Sequence, residues 1–76
     1  MDYIQEFIEE LGGVNNCIGR ERKELYDLYI QFCMRRGLYI VTSQAFTRRF
    51  NVLCDTKLKL VTRDCKVTYI IVRRES

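Results

Sequence analysis

The spacing of the apolar residues changes once along this chain, at Asp55, and that change decides which elements can lie on either side of it. Before Asp55 the apolar positions recur at three- and four-residue intervals, the period of a helix face; after it they alternate, the period of a strand. Ile4, Phe7, Ile8 and Leu11 form the first helical stripe, with Gln5, Glu6, Glu9 and Glu10 opposite and Asp2 placed to cap the start. Gly12 and Gly13 end it, and a loop of small and amide residues runs to Gly19. Leu25, Leu28, Tyr29, Phe32 and Cys33 predict a second helix from about Arg22 to Arg36, with Arg35 and Arg36 favouring the negative end of its dipole and Gly37 stopping it. Leu38 to Val41 reads as a short apolar connector or small strand. Thr42 or Ser43 then caps a third helix to about Cys54, with Phe46, Phe50, Leu53 and Cys54 turned toward a core.

Beyond Asp55, Leu58 and Leu60 alternate with Lys57 and Lys59, and Val67, Tyr69 and Ile71 alternate with Thr68, Ile70 and Val72. Two antiparallel strands are expected, joined between Thr62 and Lys66, with Arg63 and Lys66 at or near the tip. That stretch holds no glycine, so its turn type stays open, and Arg73 to Ser76 is expected to fray. Three helices followed by a hairpin predict a small α+β domain in the order of a winged helix-turn-helix. A chain of 76 residues has room for one core of this size.

The chemistry available to such a chain is narrow. It contains no histidine, which excludes the Ser-His-Asp triad, the Cys-His pair and every zinc site that needs an imidazole. The glycines near residue 12 are not followed by Gly-Lys-Ser or Gly-Lys-Thr, so they are not a phosphate loop. No enzymatic activity and no cofactor are expected. Cys17, Cys33, Cys54 and Cys65 form no C-x-x-C pair; they read as reduced thiols, with Cys33 and Cys54 buried, Cys17 and Cys65 exposed, and neither zinc nor a disulfide. No uninterrupted apolar run is longer than Tyr69 to Val72, far short of a membrane span, and Asp2 and Glu6 stand where a secretory signal would carry bases. A cytoplasmic protein without membrane contact is the expectation.

Charge divides the chain. Residues 1–19 hold four acids and no base, whereas residues 20–76 hold all 13 bases against six acids, a local charge of +7. An acidic N-terminal helix and linker (1–19) is thus distinguished from a basic winged-helix body (20–76) suited to a polyanion. At about 100° per residue the third helix turns Gln44, Thr47, Arg48 and Asn51 away from the core, with Arg49 at the boundary. Guanidinium, amide and hydroxyl groups are those that read base edges in the major groove. Ser43 at the start of that helix, and Lys57, Lys59, Arg63 and Lys66 on the hairpin, complete a candidate site for double-stranded DNA. Use of the same fold for protein contact or oligomerisation is the alternative, as is a freestanding small transcriptional regulator.

One pattern is more particular. Leu25-Tyr26, Tyr29, Phe32-Cys33 and Gly37, followed by Ser43, Phe46 and Arg48-Arg49-Phe50, resembles the C-terminal winged-helix domain of phage and plasmid primase-helicase replication proteins over about residues 22–74. The resemblance implies a place after a superfamily-three AAA+ helicase domain in a parent chain and a part in origin recognition. It also places Arg48 and Arg49 on the family's paired arginines. Phe32 stands where that family often has tryptophan, Thr47 where it often has glycine and Phe50 where it often has leucine, and the hairpin lacks the family's glycine. Residues 1–19 lie outside the matching block.

Overall fold

A computed structural model of the chain describes residues 3–74. Its elements are helix α1 (Ile4–Glu10), a 3-10 turn (Val14–Asn16), helix α2 (Arg22–Arg36), helix α3 (Ser43–Cys54) and strands β1 (Thr56–Arg63) and β2 (Lys66–Arg73). The two strands pair antiparallel along their whole length, from Thr56 opposite Arg73 to Arg63 opposite Lys66. This is a small α+β domain in the arrangement of a winged helix, as the spacing predicts. The Asp2 cap lies outside the described residues. Leu38 to Val41 forms no strand, and Arg73 belongs to β2 instead of fraying.

Helix ends follow local chemistry. Gly37 takes the left-handed conformation (φ 65°, ψ 35°), which lets the Leu38 N–H donate to the Cys33 carbonyl at 2.9 Å and close α2. Gly12 ends α1 at φ 95°, and a Cβ there would collide with the Asn16 amide, which donates to the Leu11 carbonyl at 2.7 Å. The Thr42 hydroxyl accepts from the Ala45 N–H at 3.2 Å and starts α3. Asp64 and Cys65, both at positive φ, form the two-residue hairpin loop, the backbone that a type I′ turn requires. Without glycine, that turn left no sequence signal.

The core is aromatic. Phe7 meets Tyr29, Phe32 and Phe46 at ring separations of 5.7, 5.6 and 6.0 Å, while Tyr29 and Phe46 approach to 4.6 Å. Ile4, Phe7, Ile8 and Cys17 belong to the same buried cluster as Leu25, Phe50 and Ile71. Residue 19 is therefore a boundary of charge and not of packing. The hairpin is tied to the body by backbone: the Gly19 N–H donates to the Ile71 carbonyl at 2.7 Å, the Ile71 N–H donates to the Arg20 carbonyl at 3.0 Å, and Glu21 bridges Ile70. Sequence periodicity gives no sign of this third pairing segment.

Several side chains depart from the expected faces. Leu53 is 51% exposed, and on the hairpin only the base of the apolar face is covered, so that Leu60, Val67 and Tyr69 are exposed while Ile71 is buried. The helices pack over the root of the hairpin and not over its outer half. Among the described residues no helix is long and apolar enough to cross a membrane.

Because Phe7 touches rings from both α2 and α3, Phe7→Ala is expected to cost about 3–5 kcal/mol, a large part of the stability of a domain this size. Urea unfolding followed by circular dichroism measures it; a loss under about 1 kcal/mol would show that α1 is an appendage.

Candidate nucleic-acid interface

The orientation of α3 is set before its own residues are considered. The connector ahead of it has no regular backbone pairing, and two phenols of α2 supply the partners: Tyr26 donates to the Val41 carbonyl at 2.7 Å, and the Tyr29 oxygen accepts from the Val41 N–H at 3.4 Å. Phe46 and Phe50 then lock the helix by its inner face.

With that orientation the expected reading face is smaller than helical phase implies. Gln44 and Arg48 are exposed as expected. Thr47 is not: it is buried, and its hydroxyl donates to the Ser43 carbonyl at 2.8 Å, one turn back, so it does not face outward. Asn51 is half-buried, and its side-chain oxygen accepts from the hydroxyl of Thr56, itself fully buried, at 2.9 Å. A bidentate contact to adenine needs both the oxygen and the NH2 of the amide, and this hydrogen bond turns the oxygen toward β1. Val52, 78% exposed and one turn beyond Arg48, carries no signal in the core pattern of the sequence and stands on the outward strip, whereas Ala45 is half-buried against the core. The signal for Val52 lies in its phase, roughly opposite the buried Phe46 and Phe50.

The cations fall into two groups. Arg20 is paired with Glu24 at 2.5 Å; Arg35 and Arg36 both hold Glu10, at 2.8 and 3.2 Å; Arg73 donates to Asn15; Arg74 lies 4.0 Å from Asp55. Arg63 donates to the Gly19 carbonyl at 3.3 Å, and Arg49 already has a partner within the protein. The side chains of Arg22, Lys23, Arg48, Lys57, Lys59 and Lys66 make no hydrogen bond or ion pair with the other described residues. Arg48 lies on α3, the three later lysines on the hairpin, and Arg22 and Lys23 in the first turn of α2. At the hairpin tip Arg63 and Lys66 stand directly across the strands from each other, an arrangement of like charges that costs stability.

The candidate residues are not gathered into one groove. Arg48 and Arg49 line a groove with Ile4, Val52 and Leu53; Lys57 and Lys59 line another with Val72 and Arg73; Arg63 and Lys66 share a third with Glu21 and Lys23; Ser43 borders a fourth with Arg22 and Tyr26. Among the described residues no group of three His, Cys, Asp or Glu side chains is placed to hold a metal ion. Compared with known proteins, the chain matches no family model, no curated protein and no solved structure.

The thiols also differ from expectation. Cys17 is fully buried and not exposed, because the 3-10 turn folds it into the core, whereas Cys54 is only half-buried; Cys33 is buried and Cys65 exposed as expected. Burial, reinforced by nearby Cys54, pushes the Cys17 thiol from 9.0 up to about 11 against a smaller opposing pull from Arg20. Burial raises Cys54 as well. In the folded protein Cys65 is expected to alkylate first and Cys54 next, with Cys17 and Cys33 reacting only on unfolding. The unfolded chain releases the Cys17 proton at lower pH than the folded one, so its contribution to stability is whole below pH 9.0 and is lost as pH rises toward about 11. Thermal melting across that window checks the sign: Cys17→Ala should flatten the decline.

Proposed function

We propose that this chain is a duplex-DNA-binding winged-helix module, with α3 entering the major groove and the hairpin lying along the phosphate backbone. The observation that carries the reading is the distribution of unpaired cations. Acids within the protein neutralise Arg20, Arg35 and Arg36, whereas the side chains of Arg48, Lys57, Lys59 and Lys66 stay without a partner among the described residues on the two elements a winged helix presents to DNA; Arg22 and Lys23 of the first turn of α2 do so too, beside Ser43 and the hairpin tip. Arg48 and Gln44 supply base-edge hydrogen bonds, and Val52 supplies apolar contact of the kind that a thymine methyl takes. The lysines meet phosphate. Thr47 and Asn51 support α3 instead of reading bases. The resemblance to primase-helicase C-terminal domains favours a replication origin as the target, with any helicase or primase activity belonging to other parts of a parent chain.

Fluorescence anisotropy with labelled duplexes, read at several salt concentrations, tests this. The logarithm of affinity should fall against the logarithm of salt with a slope near −0.9 for each phosphate neutralised, about −3 to −4 for these four cations. Arg48→Ala should cost roughly 1–3 kcal/mol on the preferred sequence and relax choice at one position. Lys59→Ala should weaken all duplexes alike and lower the slope by about 1. A flat salt response, or equal sequence-independent losses from both variants, counts against the reading.

A further inference from the structure

We infer that the first turn of α2 is a third DNA-contacting element, in which Arg22 and Lys23 hold backbone phosphates of the duplex between the start of α3 and the hairpin tip. The inference rests on the DNA reading above and deepens it. That reading leaves its residues in separate grooves, but two of those grooves meet at one side chain. Lys23 borders, with Arg22, the groove that holds Ser43, and it also borders the groove of about 540 Å³ that holds Arg63 and Lys66. A track of cations thus runs from α3 across α2 to the hairpin.

Backbone fixes the parts of this track relative to one another. Glu21, next to Arg22, bridges Ile70, and the Arg20 carbonyl accepts from the Ile71 N–H at 3.0 Å, so the turn that carries the two cations is joined to the strand that carries Lys66. Lys23 is exposed and Arg22 half-buried, and neither side chain has a partner among the described residues. Acids border the track as well: Glu21 and Asp64 in the hairpin groove, Asp27 in the other. Among the described residues none of the three forms an ion pair with Arg22, Lys23, Arg63 or Lys66. Arg63 directs its hydrogen bond to the neutral Gly19 carbonyl, which leaves its charge uncompensated. Cations interleaved with acids suit the spaced single charges of a phosphodiester backbone better than one multiply charged anion. A duplex that lies along both α3 and the hairpin passes this track, and its phosphates supply the counter-charges that the three acids do not.

Fluorescence anisotropy of labelled duplexes with the full chain, at several salt concentrations, tests the inference separately from the DNA reading. With Arg22 and Lys23 added to the four cations of α3 and the hairpin, the slope against salt should steepen from about −3 to −4 to about −5. R22A/K23A should weaken all duplexes alike, make the slope shallower by about 2 and leave the base preference read by Arg48 intact. Asp64→Asn, which the positive φ at that position tolerates, should tighten binding because it removes an acid from the hairpin groove. Arg35→Ala takes one positive charge from the far end of α2 and should leave the slope as it is. Circular dichroism melts establish that each variant is folded. If R22A/K23A behaves like Arg35→Ala while Arg48→Ala still costs affinity, the inference is overturned and the DNA reading stands. An affinity unmoved by Asp64→Asn also counts against the inference, and a chain with no salt-dependent binding overturns both.

Discussion

The contact between Phe46 and Tyr29, with ring centroids 4.6 Å apart and Phe7 against both, is the one on which the remaining arrangement depends. Phe46 is a residue of α3, Tyr29 of α2 and Phe7 of α1, so a single cluster of three rings sets three helix positions at once. Tyr29 adds a second constraint through its oxygen, which accepts from the Val41 N–H while Tyr26 donates to the Val41 carbonyl. The rings locate α3 and the phenols fix the backbone that leads into it. A helix meant to present a defined outer strip needs both, because packing alone leaves the entry angle of an unpaired connector undetermined.

Charge is organised by the same packing. Once α1 lies against α2, Glu10 reaches both arginines of the α2 terminus, and the contrast seen along the chain between an acidic start and a basic remainder becomes partly an internal neutralisation. These are exposed pairs and add little to stability. Their effect is on where uncompensated charge remains. The body loses free cations near α1 and keeps them on α3, the hairpin and the first turn of α2, so the net charge of +3 understates how positive those elements are.

Element boundaries were legible in the sequence because each rests on short-range chemistry: three- and four-residue spacing for the helices, Gly37 and Thr42 at their ends, alternation for the strands. Side-chain fates within an element were less so. On α3 the axis of burial runs through Phe46 and Phe50, and Thr47 and Leu53 lie on either side of it. Phase alone favours the larger apolar residue. Thr47 is buried with its hydroxyl bonded to the Ser43 carbonyl, while the α1 side leaves Leu53 at an open groove. The burial of Cys17 escapes the sequence pattern for a related reason: a 3-10 turn buries one side chain without leaving a periodic trace. At the candidate site, Gln44, Arg48 and the hairpin lysines were readable as exposed, whereas the loss of Thr47 and the gain of Val52 required knowing which neighbours α3 has.

The hairpin cations invite a rival explanation, since lysines on an edge strand also block unwanted pairing with another chain. It accounts well for Lys57 and Lys59, because β1 borders only β2 in the sheet and its other edge is open. It accounts less well for the tip. Arg63 and Lys66 face each other directly across the last strand pair, where an opposite charge would guard the edge equally and stabilise the turn. Instead the chain keeps two like charges beside a loop whose residues, Asp64 and Cys65, already hold left-handed backbone without glycine. Under the DNA contact proposed above, a polyanion would relieve the repulsion between Arg63 and Lys66 on binding, so that proposal accounts for the tip where edge protection does not, although Asp64 and Glu21 share the groove with these two cations.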